Sequence, residues 1–133
     1  MAIWRVLFVF VLALLMSCSS NTKQKIIGEW KLDSAYYHYN QFNFSSDGWH
    51  QDERYTYLPT GEAITSAVNS SIRNKYTIDE KHLNYYDEKG NLVSIYEILS
   101  INDENMVLRA EKKPLFKGEN QNRFEVRYFS KVN

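Results

Sequence analysis

From residue 26 to residue 132 the chain is a succession of short segments rich in Tyr, Ile, Val and Phe, and no long stretch places apolar residues at helical spacing. Turn formers separate the segments: Ser45-Ser46-Asp47-Gly48, Pro59-Thr60-Gly61-Glu62, Asp79-Glu80-Lys81, Asp87-Glu88-Lys89-Gly90-Asn91 and Asn102-Asp103-Glu104-Asn105. Each supplies Gly, Pro, Asn or Asp where a backbone must reverse. The pattern predicts strands at about 27–38, 53–58, 62–68, 74–79, 82–87, 92–101, 105–112 and 122–132. Sequential hairpins leave two free edges unless the sheet curls round on itself. We therefore expect an all-β fold, an antiparallel up-and-down barrel of about eight strands.

Period-2 alternation marks the inward face. Trp30, Leu32 and Tyr36 share a parity against Glu29, Lys31 and Asp33, and Met106, Leu108 and Ala110 oppose Arg109 and Glu111. On the last strand Phe124, Val126 and Tyr128 alternate with Arg123, Glu125, Arg127 and Phe129. An unpaired buried guanidinium is costly, so burial alone points the apolar set inward and leaves Arg127 in water. Residues 39–52 either extend the first hairpin or cover the barrel mouth, and 114–122 form a polar connection.

Ahead of the barrel lies an unbroken apolar run at 6–16, preceded by Arg5. It is too short for a membrane span, which takes about 20 residues, and has the length of a secretory signal core. Leu15-Met16-Ser17-Cys18 follows and resembles the lipobox of bacterial lipoproteins, in which the cysteine becomes the first mature residue and carries lipid. That resemblance implies a signal peptide at 1–17, a lipidated tether at 18–25 and one domain at 26–133. It also implies that the membrane is a partner through lipid on Cys18, in a bacterial cell envelope. Ser19-Ser20-Asn21 lacks an acidic run resembling surface-export signals, so the expected place is the outer membrane, facing the periplasm. As the only cysteine, Cys18 has no partner for a disulfide within the chain.

Removing 1–17 takes away Arg5 and no acidic residue, leaving 15 basic and 16 acidic side chains. A balanced chain has no general field for nucleic acid, whose binding rests on neutralising several phosphates, so no nucleic-acid partner is expected. From 109 to 131 seven basic residues face three glutamates, an arrangement that fits either a basic rim or an ordinary solvated face.

Gly28-Glu29-Trp30-Lys31-Leu32 resembles the opening of the lipocalin superfamily, in particular the small lipocalin-like domains of bacterial lipoproteins. Tyr55-Thr56-Tyr57 with Thr60-Gly61, Tyr76-Thr77-Ile78 with Leu83, and Tyr96-Glu97-Ile98-Leu99-Ser100 with Met106-Val107-Leu108 are similar to that family's later strands and turns. The resemblance implies a barrel of the calycin type whose closed end is marked by Gly28 and plugged by Trp30. The start of the domain also resembles intracellular fatty-acid-binding proteins, as does Arg127-Tyr128-Phe129-Ser130-Lys131 near its end. There Arg and Tyr grip a ligand carboxylate, and Phe129 departs from that pattern by lacking the hydroxyl.

Beyond residue 17 the chain carries two Trp, five Phe and ten Tyr. Leu32, Tyr36, Tyr55, Tyr57, Tyr76, Ile78, Tyr85, Tyr96, Leu108, Phe124, Val126 and Tyr128 are the candidates to line a pocket for a small amphipathic molecule. The same rings equally fill an eight-stranded barrel, which then serves as an interaction module for an envelope protein. His38, His50 and His82 lack metal-site spacing, and no Gly-x-Ser-x-Gly stretch or spare thiol supplies a nucleophile. The expectation is a non-enzyme with no metal and no cofactor.

Overall fold

In the computed structural model, which describes residues 22–47, 52–114 and 121–133, nine strands follow a single helical turn at 22–25. The proposed leader with Cys18, residues 48–51 with Trp49 and His50, and residues 115–120 lie outside the described residues. The strands are β1 (Gly28–Tyr39), β2 (Phe42–Asp47), β3 (Arg54–Tyr57), β4 (Glu62–Ala67), β5 (Ser70–Asp79), β6 (His82–Tyr86), β7 (Leu92–Ile101), β8 (Asn105–Glu111) and β9 (Arg123–Lys131). All neighbours are antiparallel, and β1 pairs with β9 to close the sheet. Strands β2 and β3 lie end to end on the other edge of β1, against 34–39 and 28–31 respectively. Counted around the wall, the barrel therefore has eight staves, as the turn spacing predicted. The first hairpin does extend into 39–52, through β2.

The closed end holds the core. Trp30, Ile26, Leu32, Tyr57, Leu83, Met106, Leu108 and Phe129 are almost wholly shielded from water. Trp30 Nε1 donates to Ile26 O at 2.8 Å, so the indole's one polar atom is satisfied where the chain turns into β1. Gly28 makes that turn possible: its φ is +127°, and a Cβ there would sit 2.8 Å from Lys131 Cε. Lys131 Nζ lies over the Trp30 ring and donates to Lys25 O and Ile27 O, tying the last strand to the start of the first.

Bulges decide which residues look inward. Asp33 is skipped in the β1–β9 register, its carboxylate accepting instead from Ser130 Oγ at 3.0 Å, so Leu32 faces Phe129 while Ser34 faces Tyr128. One extra residue inverts the parity of everything after it. Ala35 and Tyr37 consequently point in opposite Arg127 and Glu125, and Tyr36 points out opposite Val126. The placement of Tyr36 in the interior is thus corrected, as is the register of the last strand. Glu125, Arg127, Phe129 and Lys131 face the interior, and Tyr128 is 42% exposed on the outer wall.

Two causes act together on β9. Each inward residue finds a partner: Phe129 meets the edge of Tyr55 at 5.2 Å, and Arg127 donates to Tyr55 Oη at 2.8 Å. Outside, the apolar residues are covered without a core, since His38 stacks on Phe124 at 4.7 Å and the Arg109 guanidinium lies 4.4 Å from the same ring.

The wall is incomplete between β7 and β8. They pair only through Glu97–Ile101 and Met106–Arg109, although β7 runs up to Leu92 and β8 to Glu111. On the β6 side of β7 Ile98 N donates to Lys81 O, and just past the end of β8 Lys112 N donates to Arg123 O. Continuing the antiparallel alternation as far as the bulge at Val93, the backbone groups of Ile95 aim from β7 towards those of Glu111. No pairing joins them among the described residues.

Candidate ligand cavity

Above the packed floor and below the open end is a cavity of about 160 Å³ lined by Tyr55, Thr65, Asn74, Tyr85, Ser94, Tyr96, Leu108, Arg127 and Phe129. Alternation along β3 through β9 brings these side chains together, since all are inward residues of neighbouring staves, two each from β7 and β9 and one from each of the others. Apolar rings make the sides, and hydroxyls, amides and one guanidinium supply hydrogen-bonding groups.

Four of the expected lining residues do line it: Tyr55, Tyr85, Tyr96 and Leu108. Leu32, Tyr57 and Ile78 sit lower, in the packed floor, and Tyr76 packs against that floor with its hydroxyl donating to Leu58 O at 2.8 Å. Tyr36, Phe124, Val126 and Tyr128 belong to the outer wall, for the reasons of register given above. Thr65, Asn74, Ser94 and Phe129 were missed, and Arg127 was left in water by the burial argument although the resemblance to fatty-acid-binding proteins places it inside. Of these, Ser94 left a usable trace, a small polar residue at the parity of Tyr96 in a mostly apolar strand.

Arg127 is the electrostatic centre of the cavity. Its Nη2 lies 3.3 Å from Glu125 Oε1, which Lys112 Nζ also approaches at 2.8 Å, and its guanidinium is 5.5 Å from the Tyr96 ring centre. Tyr55 accepts from Arg127 and donates its own proton to Glu53 Oε1. Burial works against the Arg127 charge, but Tyr96, Tyr55, Glu125 and Glu53 outweigh it and raise its affinity for the proton above the ordinary guanidinium range. The group is a fixed cation. Around it two positive side chains, Arg127 and Lys112, meet two carboxylates, Glu125 and Glu53, so the cavity is close to neutral.

Burial pushes the hydroxyls of Tyr55, Tyr57 and Tyr85 well above the ordinary tyrosine range. Tyr57 and Tyr85 hydrogen-bond to each other. These groups are neutral at any physiological pH, suited to holding a ligand by hydrogen bonds and poorly suited to acid–base chemistry. Among the described residues no three His, Cys, Asp or Glu side chains gather in a way that would hold a metal ion.

Fold and cavity define a closed up-and-down β-barrel with a small mixed-polarity cavity beneath its open end, an architecture consistent with a lipocalin-like barrel. The chain matches no protein-family model and no curated protein sequence.

Proposed function

We propose that this protein is a lipid-anchored envelope lipoprotein that binds a small amphipathic molecule in its barrel and catalyses no reaction. The observation that carries the binding reading is the cavity itself, where the apolar sides of Tyr85, Tyr96 and Phe129 meet the polar tips of Tyr55 and Arg127. Such a lining suits a molecule with one wet and one greasy part. The anchoring part rests on the lipobox resemblance at Leu15-Met16-Ser17-Cys18, with Cys18 as the lipid-bearing residue in the outer membrane. Intact-mass analysis of membrane-extracted protein tests both parts. A mature chain starting at Cys18 with acyl mass and a saturable small-molecule adduct is the expected result; no acyl mass defeats the anchoring and no adduct defeats the binding.

A second reading, an interaction module for another envelope protein, is favoured by the apolar side chains at the open end. Phe42, Phe44, Val68 and Ile72 are all more than half exposed there. Truncating Phe42 and Val68 to Ser separates the two: a ligand held in the cavity survives the change, whereas a protein partner held by the tips is lost.

A further inference from the structure

A cavity of about 160 Å³ is smaller than the roughly 300–1,000 Å³ of typical small-molecule sites, so it holds only part of an ordinary amphipath. The remainder has somewhere to go. On the outside of β7 a groove of about 490 Å³ runs between Leu92, Val93 and Ile95 on one bank and Arg109, Glu111 and Lys113 on the other. Ser94 lines both spaces, and it stands where the β7–β8 ladder is unpaired. Leu92, Val93 and Ile95 are about half exposed, and residues 91–96 carry no charge or proline, the usual guards of an open edge.

We propose that cavity and groove form one site for a single-chain amphipath with an uncharged polar head, the head among Tyr55, Tyr96 and Arg127 and the tail passing between β7 and β8 onto Leu92, Val93 and Ile95. This rests on the ligand-binding reading above and specifies its ligand class. The head is uncharged because the cavity's two cations are already matched by Glu125 and Glu53, and a carboxylate would lie beside the buried Glu125. It is a hydrogen-bonding head because Arg127 Nε is buried without a partner in the folded chain. A single chain is specified because the opening is one break in one ladder, and neighbouring strands are spaced about 4.8 Å apart when paired.

The test uses the full chain in phospholipid membranes and a monoacylglycerol carrying a photoreactive diazirine near the end of its tail. Saturable adducts on residues 92–97 and on Glu111 or Lys113 are the expected outcome. In the double variant Val93→Asp, Ile95→Asp, which alters only exposed side chains, adduct yield should fall about tenfold. Unlabelled monoacylglycerol should compete better than the fatty acid of equal length. Adducts confined to Phe42, Phe44 and Ile72 at the open end would show the tail leaving by the mouth and would overturn the lateral route. Stronger competition by the fatty acid would overturn the uncharged head. Absence of any saturable adduct in the barrel would defeat the ligand-binding reading itself.

Discussion

Trp30 carries the closed end because a single side chain there does three jobs: it fills the floor, satisfies Ile26 O and offers its face to Lys131. Trp30→Ala should cost about 3–5 kcal/mol in chemical denaturation, the range for emptying a large aromatic from a core. The neighbouring residues Arg127 and Tyr128 make a sharper comparison. Arg127→Ala removes the donor to Tyr55 and leaves the buried Glu125 with Lys112 alone, so it should cost about 3 kcal/mol. Tyr128→Ala trims an exposed ring on the outer wall and should cost less than about 1 kcal/mol. The reverse order of losses in urea melts would restore the register that simple burial suggests.

At the scale of strands, most of the barrel was legible because four of the five turn-former clusters fall where the backbone reverses, whereas Ser45-Ser46-Asp47 lies within β2 and the reversals at 40–41 and 68–69 are marked only by Asn40 and Asn69. Met106, Leu108 and Ala110 face inward as their alternation predicts. What periodicity does not register is a bulge. Asp33, Val93 and Leu99 each add one unpaired residue, and nothing in their types distinguishes them from regular strand positions. The single bulge at Asp33 is enough to move Tyr36 from the cavity to the outer wall. On β9, counting apolar residues failed for another reason: the Arg127 charge is matched by Glu125, two positions away on the same face, and by Glu53, whose distance in sequence local patterns do not bridge.

The same ladder logic yields a measurement on β7. Ser94 and Tyr96 stand at the hydrogen-bonded positions of the β6–β7 ladder, while Ile95 aims its amide at the unpaired seam. In residue-resolved hydrogen exchange Ile95 should exchange at least about tenfold faster than Tyr96 in the free protein. Equal protection at the two positions would mean that the seam is already filled.

Whole-molecule behaviour follows from what the barrel encloses and from where its proposed anchor leaves it. Burial raises the pKa of Tyr55, Tyr57 and Tyr85 in the folded chain, so above pH about 10 the unfolded chain releases protons that the folded chain keeps. Stability from this source is complete below that pH and is lost as pH rises towards the folded values. Tyrosinate absorbance should therefore rise in two stages, exposed rings first and the buried three together with loss of the fold. A smooth titration of every tyrosine in a still-folded barrel would contradict their burial.

Orientation at the membrane is the other consequence of the architecture. If Cys18 bears lipid, it stands four residues before Thr22, and an extended chain of that length reaches at most about 14 Å. Thr22 begins the helical turn that Lys131 ties to the closed end, through Lys25 O and Ile27 O. A ten-residue strand tilted as in a closed barrel carries the chain roughly 25 Å along the axis, so the open end lies well beyond the reach of the anchor. The mouth should face away from the membrane that holds the lipid, leaving the cavity open to whatever lies opposite. Fluorophores placed one at a time at Val132, beside the closed end, and at Val68, on the β4–β5 tip, report this directly, since both side chains are exposed. With the lipidated chain in vesicles containing a headgroup-attached quencher, the Val132 site should be quenched strongly and the Val68 site hardly at all. Equal quenching would mean that the barrel lies on its side, with the β7–β8 seam free to meet the bilayer.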